Sequence, residues 1–294
     1  MTALALDLRS SSVDLNVLDL NAIEPPVPSS RSLLTFTRRT SSAVDPGAFV
    51  ADLAAEALEH RAVRHPYLNA LAEGALPDVR WALADFAAQY YGYSKHFPRY
   101  LTTVMSRLEE ASHRLALLQN LTEESGRYDE EELGELAEHG IEAEWIVGIP
   151  HPALFLRFAQ AMGVSPPKVE SDAVLCWREM FLSVLTHGTP AEAVGALGLG
   201  TENIVSTIYG PFVRAIGRVS ELSARDSVFF PLHTTVDDHH QATLQAIAAS
   251  FAGTTEGRAG LRRGMLKSLS LRASYWDWML ARAMNPIEAD RVIG

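Results

Sequence analysis

The feature that most constrains the fold of this chain is a helical repeat of apolar residues that begins at Pro46. The segment "PGAFVADLAAEALEHRAV" places apolar residues three and four positions apart, as a helix with one buried face requires. The same spacing continues in "PDVRWALADFAAQYYGYSKHFPRYLTTVMSRL", where Pro77 and Asp78 indicate a helix start and Pro98 indicates a kink. Further helices are predicted at about 151–163, 169–187, 190–222, 228–252 and 257–284. The sequence therefore predicts an all-α protein, with a single bundle domain over residues 46–294.

The first 45 residues lack this repeat. They are rich in Ser, Pro and Leu and contain "EPPVPSSRS", so we expect a poorly ordered extension. The start, "MTALALDLRSSSVDLNVLDL", has no basic residues followed by an apolar core, which predicts no secretory signal. No stretch approaches the roughly 18 uninterrupted apolar residues of a membrane span. We therefore expect a cytoplasmic protein.

Charge and cysteine content exclude several classes of function. The net charge of −11 is spread over the chain without a run of Lys and Arg, which argues against nucleic acid and anionic membranes as partners. A small-molecule substrate fits this charge better. The single cysteine, Cys176, excludes an internal disulfide framework and a cysteine-built zinc or iron–sulfur site. A bound metal would therefore need histidine and carboxylate ligands.

The segment "HTTVDDHH", residues 233–240, concentrates such ligands. On a helix each residue turns by about 100°, so residues four and seven apart lie within roughly 40° and 20° of the first. His233, Asp237 and His240 therefore share one face, whereas Asp238 and His239 point elsewhere. Two imidazoles and a carboxylate suit iron, manganese or zinc. A solvated polar face is the alternative, but "FFPL" before and "LQAIAASF" after the segment favour a buried helix.

A buried His-Asp-His face needs partners on other apolar helices, and carboxylates are the expected kind. Glu202 lies in "GALGLGTENIVSTIYGPFV", where a lone carboxylate has no obvious solvent-facing side. Glu124 ends the "LALLQNLTEESG" helix, and we expect its neighbour Glu123 to face solvent. His151 begins the apolar segment "IPHPALFLRFAQAMG". Each of these residues also fits a helix-end or capping role, so the sequence alone leaves both interpretations open.

These segments resemble the haem-oxygenase-like di-iron oxidases, and they occur in the order seen in that family. The likeness runs from about His65 to the C-terminal "SYWDWML", and its most specific part is the His-Asp-His triplet with an upstream glutamate. The resemblance implies a seven-helix up-and-down bundle similar to haem oxygenase but without haem. The segments that carry it are "FAAQYYGYSKHFPRYL", "NLTEESG", "HPALFLRFAQAMGV", "GTENIVSTIYGPF" and "FFPLHTTVDDHH".

The resemblance also implies six ligands for two Fe(II) ions. Matched residue by residue, they are Glu124, His151, Glu202, His233, Asp237 and His240. The family separates its NLxxE glutamate from the following histidine by a short turn, whereas here the acidic segment "RYDEEELGELAEHGIEAEWIVGIP" intervenes. We prefer His151 to His139 because "HPALF" carries the local match. One branch of the family makes p-aminobenzoate from its own side chains with a lysine shortly after the mid-chain glutamate, and "NIVSTIYGPFVR" has none.

Two ferrous ions with open positions would reduce O2 to a peroxo-diferric species. In this family such species oxidise amine nitrogens, or remove a C–H hydrogen and drive desaturation or C–C cleavage. We expect N-oxygenation of an amine or amino-acid-like small molecule in specialised metabolism, with oxidative C–C cleavage or desaturation as the alternative. O2 would be the co-substrate and an external reductant would be needed. The electron donor is not evident from the sequence, and homodimers are common in this fold.

Other classes of protein fit less well. A ferritin-like bundle needs ExxH on two helices, and only "EASH", from Glu110 to His113, has that spacing. A thiaminase-like bundle would use a cysteine nucleophile, but we interpret Cys176 in "AVLCWREM" as a small core residue. A non-enzymatic interaction module with a structural polar triplet is the alternative from a different class.

Two further segments bear on the site. "GALGLG" lacks the GxGxxG order and a preceding strand, so we interpret it as close helix packing rather than a nucleotide-binding loop. His96 and Tyr93 lie on a helix expected to flank the metals. We predict that they are near the substrate, with His96 as the first candidate and structural packing as the alternative.

Overall fold

The structure of the protein, a computed structural model, describes residues 44–219, 221–235 and 237–286, and for residues 237–239 only the backbone. This part of the chain is helical and contains no strand. The fold class predicted from the sequence is therefore confirmed. The α-helices are α1 Pro46–Glu59, α2 Pro66–Glu73, α3 Val79–Ser94, α4 Phe97–Met105, α5 Ala111–Glu124, α6 Glu130–Glu138, α7 Ala143–Ile146, α8 His151–Ala161, α9 Asp172–His187, α10 Pro190–Val194, α11 Asn203–Ile216, α12 Phe229–Thr235, α13 Asp237–Phe251 and α14 Thr255–Met284. A π-helical segment, Gly195–Glu202, joins α10 to α11.

Several helices begin where the sequence signals predict. Asp45 accepts a hydrogen bond from the Gly47 amide (3.0 Å) at the start of α1. Asp78 accepts one from the Trp81 amide (2.9 Å) at the start of α3. The kink predicted at Pro98 is a complete break, because α3 ends at Ser94 and Pro98 lies in the first turn of α4.

The N-terminal extension predicted for residues 1–45 lies almost entirely outside the described residues, because the description of the chain begins at residue 44. The described residues belong to one compact unit. None of the helices described is both long and apolar enough to cross a membrane.

An aromatic cluster fills the centre of the bundle. The rings of Phe86 and Phe212 lie 4.2 Å apart, and those of Phe212 and Phe230 stack at 5.5 Å. Trp276 on α14 completes the contact with Phe86 at 6.1 Å. Burial of such large rings is the main source of stability in a helical bundle.

The predicted close packing of "GALGLG" is confirmed by its contact with α14. A Cβ added to Gly195 would lie 2.1 Å from the Leu261 carbonyl oxygen, and one added to Gly200 would lie 2.6 Å from Ser268 Cβ. The contact is reciprocal, since a Cβ on Gly264 of α14 would lie 2.9 Å from the Ala196 amide nitrogen of this segment and 1.9 Å from the Glu192 carbonyl oxygen of α10. Glycine is therefore required on both helices for this approach of the two backbones.

Gly264→Ala tests this packing. The added methyl group meets backbone atoms that cannot move aside, so we expect the free energy of unfolding to fall by about 2 kcal/mol or more. Gly134→Ala is the matched control, because Gly134 lies on exposed α6 with no atom within 4 Å of the added Cβ. There we expect stabilisation of about 0.5–1 kcal/mol. Denaturant unfolding measures both, and a Gly264→Ala protein as stable as the wild type would contradict the packing.

Glu192 gives a pH-dependent contribution to stability. It accepts a hydrogen bond from the Thr189 amide (2.8 Å) in a capping box and lies 3.2 Å from both Arg263 and Lys267, and these contacts lower the pKa of Glu192 to about 2. A lowered folded-state pKa stabilises the protein above the unfolded-state pKa, and this stabilisation is lost as the pH falls towards 2.

Glu192→Gln removes the charge and keeps a side chain that can form the capping box. We expect it to be less stable than the wild type by on the order of 2 kcal/mol above pH 5, and equally stable near pH 2. Denaturant unfolding across this pH range measures the difference. Glu221→Gln, which removes an exposed ion pair with Arg80, should have little effect at any pH. A pH-independent loss in Glu192→Gln would refute the electrostatic explanation.

Candidate metal centre

The end of α5 brings two adjacent carboxylates into the interior. Glu123 and Glu124 are each only 3% exposed. The prediction that Glu123 faces solvent is therefore wrong. Leu117 and Asn120 are also buried on α5, and Glu123 and Glu124 lie three and four residues beyond Asn120, so both continue the buried face. That spacing was the sequence signal for Glu123.

The acidic segment between Glu124 and His151 is closed at its base. The Gly148 amide donates a hydrogen bond to the Gly126 carbonyl oxygen (2.7 Å), and a Cβ on Gly126 would lie 2.5 Å from the Ile149 carbonyl oxygen. Gly126 also has a φ of +79°, which L side chains rarely adopt. The helices α6 and α7 thus lie within a loop whose two ends, after α5 and before α8, are in contact with each other. The insertion does not separate the end of α5 from the start of α8.

His151, the first residue of α8, consequently lies beside Glu124. Its Nδ1 atom is 3.1 Å from Glu124 Oε1. Its Nε2 atom hydrogen-bonds the hydroxyl of Tyr128 at 2.7 Å. By contrast, the side chain of His139 bonds the Glu135 carbonyl at an exposed position. The structure thus brings His151, and not His139, to Glu124.

His233 on α12 completes a group of three potential ligands. Its Nδ1 atom donates a hydrogen bond to the Phe229 carbonyl oxygen (2.7 Å), which leaves the Nε2 lone pair available. One ligand atom from each of Glu124, His151 and His233 lies within 4.8 Å of the others. This spacing is compatible with coordination of a single ion.

A second group of buried ionisable residues adjoins the first. His240 Nε2 lies 2.6 Å from Glu123 Oε2, and both side chains are buried. Glu202, at the end of the π-helical segment, is 4% exposed. The sixth predicted ligand, Asp237, begins α13, and its side chain lies outside the described residues.

The environment shifts the pKa values of these groups strongly. Burial, aided by the nearby Glu124 and Glu123, raises the pKa of Glu202 to about 7 despite the opposing charge of His240. Burial and His151 lower the pKa of His233 to about 3, so this imidazole is neutral. Burial opposes the charge on His240, but its hydrogen bond to Glu123 and the charge of Glu202 raise its pKa to about 9. Ligation of a metal by His240 would therefore release a proton.

A small cavity opens beside these residues. Glu124, His151, Glu202 and His233 line it, and most of the remaining wall is aromatic or aliphatic. Tyr93, predicted to be near the substrate, also lines the cavity. His96 does not; it is the residue before α4, and its Nε2 atom lies 3.5 Å from Arg178 Nη1. The structure thus places only Tyr93 of this predicted pair at the cavity.

Two buried groups show that the residues fit a metal. Glu202 Oε1 is buried without a hydrogen-bond partner in the described part of the chain, and His151 Nδ1 is buried with Glu124 Oε1, 3.1 Å away, as its neighbour. Such atoms are costly to bury unless they are paired or bound to a metal. Together, the imidazole and carboxylate groups form a donor set that suits iron. Sequence reasoning missed two members of this environment: Glu123, which pairs with His240, and Tyr128, which holds His151.

The fold and the site define a class of protein. The chain matches the family model of iron-containing redox enzymes over residues 84–273, which is more than half of its length. The protein therefore belongs to this family, which identifies it as an iron-containing redox enzyme.

Two proteins that are similar in sequence to this chain are both named 4-aminobenzoate synthase. The protein from Chlamydia muridarum is 25% identical over 190 residues, covering 63% of this chain and 71% of the relative. The protein from Chlamydia trachomatis is 26% identical over 170 residues, covering 56% of this chain and 64% of the relative. The match to the second relative thus spans somewhat less than two thirds of its length.

Crystal structures support the fold independently. A CADD-like protein of unknown function from Nostoc punctiforme has a TM-score of 0.61 at 16% identity, with 81% of this chain and 99% of that chain covered. A domain of unknown function with a haem-oxygenase-like fold from Shewanella denitrificans has a TM-score of 0.60 at 17% identity, with coverages of 82% and 92%. The predicted haem-oxygenase-like fold is confirmed.

Tyr128→Phe tests the positioning of His151. Loss of the phenol removes the hydrogen bond to Nε2 and frees the ring, so we expect the affinity for Fe(II) to fall by roughly 10-fold. Anaerobic titration with a competing chelator measures this affinity. Tyr91→Phe is the control, since Tyr91 stacks on Phe155 and lies outside the cavity wall. An unchanged affinity in Tyr128→Phe would show that Tyr128 does not position His151.

Proposed function

We propose that this protein is a non-haem di-iron oxidase or oxygenase that N-oxygenates an amine or amino-acid-like small molecule. The observation that carries the proposal is the convergence of Glu124, His151 and His233 beside Glu202 at one enclosed cavity. The proposal keeps the cytoplasmic location, O2 as co-substrate and external reductant predicted from the sequence.

The residues divide into two sets of ligands in this proposal. Glu124, His151 and His233 would hold one ion. Glu202 and His240 would hold the other, together with Asp237 as its sequence spacing predicts. Iron in these positions would supply the electrons that activate O2, as is usual for carboxylate- and histidine-bound metals.

The chain's own residues prepare the site for this chemistry. The Phe229 carbonyl fixes the tautomer of His233, and Tyr128 orients His151. Glu123 neutralises the charge of His240 while no metal is bound. The rings of Phe229 and Tyr209 lie 4.2 and 5.7 Å from the imidazole of His233 and shield this side of the cavity from water.

The substrate assignment rests on the relatives and on the lining of the cavity. 4-Aminobenzoate, which names the two chlamydial relatives, carries both an amine and a carboxylate. A wall of mainly aromatic and aliphatic side chains with a few ionisable groups suits a small organic molecule of that kind. Because the 12 residues after Glu202 contain no lysine, we propose that this chain oxidises an external amine and not its own side chain.

Iron content tests the proposed centre. Protein reconstituted anaerobically with Fe(II) is expected to bind close to two irons per chain, and then to consume O2. His240→Ala should lose iron because it removes a buried ligand, whereas His239→Ala, one residue away, should retain it because helical spacing directs residue 239 elsewhere. Metal analysis of the variants measures this. A wild-type protein that binds no iron would favour the interaction module.

Product analysis tests the reaction. With iron, a reductant and O2, candidate amines should gain oxygen on nitrogen, as detected by mass spectrometry and fragmentation. Heat-denatured protein and reactions without O2 are the controls. Loss of a carbon fragment, or of two hydrogens, would instead assign C–C cleavage or desaturation to the same centre.

A further inference from the structure

Arg272 on α14 is a buried cation without an ion pair among the described residues. It is 1% exposed, and neither Nε nor Nη1 has a hydrogen-bond partner among those residues. Its side chain hydrogen-bonds Tyr90, and its charge acts on Glu202, but no described carboxylate lies within ion-pair distance of it. Arg282 on the same helix shows the usual arrangement, since its Nε and Nη2 atoms bond both oxygens of Asp85 at 2.8 and 2.6 Å.

Aromatic rings hold the guanidinium group of Arg272 in place. Its central carbon lies 5.2 Å from the centre of the Trp177 ring and 5.6 Å from that of Tyr93. These two rings stack on each other at 3.8 Å. Cation–π contacts stabilise the charge and orient the plane of the group. They leave the Nε and Nη1 groups unsatisfied, and such groups are costly to bury.

The unsatisfied guanidinium belongs to the wall of the metal-centre cavity. Arg272 lines this cavity together with Glu124, His151, Glu202 and His233. The two glutamates are ligands in the proposed centre, so their charge would be committed to metal. The cavity of the loaded protein would therefore contain a fixed cation that no described carboxylate is left to neutralise.

We propose that Arg272 binds the carboxylate of the substrate, which makes the substrate an amino acid or another small carboxylic acid and not a simple amine. The planar guanidinium matches a carboxylate in shape and can donate two parallel hydrogen bonds to it. This inference rests on the proposed function in two respects: Glu124 and Glu202 are taken to be metal ligands, and the substrate is taken to enter this cavity.

Binding of probe anions tests the assignment. Benzoate, neutral benzamide and inorganic phosphate are titrated calorimetrically into the protein, both metal-free and loaded anaerobically with Fe(II). We expect benzoate to bind at least 10-fold more tightly than benzamide and more tightly than phosphate. Equal binding of benzoate and benzamide, undetectable binding of benzoate, or a preference for phosphate would overturn the assignment.

Variants locate the binding group. Arg272→Met removes the charge while preserving much of the volume, so we expect benzoate affinity to fall at least 10-fold with the iron content unchanged. Arg272→Lys keeps the charge and loses the planar fork, and an intermediate affinity is expected. Arg262→Gln is the matched control. Arg262 lies on α14 like Arg272, and its substitution removes only an exposed ion pair with Glu56 of α1, so this variant should bind benzoate normally.

The two proposals fail separately. Two irons per chain with no preference for benzoate would overturn the role of Arg272 and leave the di-iron proposal intact. A benzoate preference that depends on Arg272 in a protein that binds no iron would support the role of Arg272 and overturn the di-iron proposal. Preference for benzoate that persists in Arg272→Met would assign carboxylate binding to another group. Should Arg272→Met not fold, the comparison of benzoate with benzamide in the wild type and in Arg272→Lys still decides.

Discussion

Desolvation of ionisable side chains is the constraint on which this site depends. Glu123, Glu124, Glu202 and His240 are all less than 5% exposed in a bundle whose core is otherwise largely aromatic and aliphatic. An isolated charge in such surroundings is strongly disfavoured, so each group must be paired, neutralised or bound to a metal. The pairing of His240 with Glu123 and the raised pKa of Glu202 are two responses to this constraint. Metal binding would be a third response, and it would satisfy several of the groups together.

A long insertion is tolerated between two of the predicted ligands because the two ends of the inserted loop are held together. A longer loop adds little to the free energy of closure when its ends are fixed by other contacts. Here the hydrogen bond from Gly148 to Gly126 fixes those ends immediately beyond Glu124 and before His151. The loop also contributes Tyr128, whose phenol bonds His151. The insertion therefore contributes a residue to the site, although the sequence alone indicates only an acidic segment between two helices.

The sequence predicted the fold well because helical periodicity is a local signal. The helices α8 and α14 begin within two residues of their predicted starts, and the apolar surroundings of Glu202 correctly indicated its burial. The site was harder to predict because its contacts are not local. Whether Glu123 or Glu124 faces inward depends on what packs against both sides of α5, and both are buried. Similarly, His96 lies on the expected segment but not at the cavity, because the break before α4 alters the direction of that residue.

The glycine contact between the π-helical segment and α14 joins two helices that each contribute to the cavity wall, the first through Glu202 and the second through Arg272. Gly195 and Gly200 let these helices approach closely. Gly195 packs against the backbone of Leu261, and Gly200 packs against the side chain of Ser268. Glu202 follows at the end of the π-helical segment, and Arg272 lies one turn beyond Ser268, which contacts Gly200. A π-helical segment changes the register of the residues after it, and such segments occur frequently at functional sites. The close packing that "GALGLG" provides thus sets the separation between Glu202, a ligand in the proposed centre, and Arg272, and a larger residue in this contact would move the two apart.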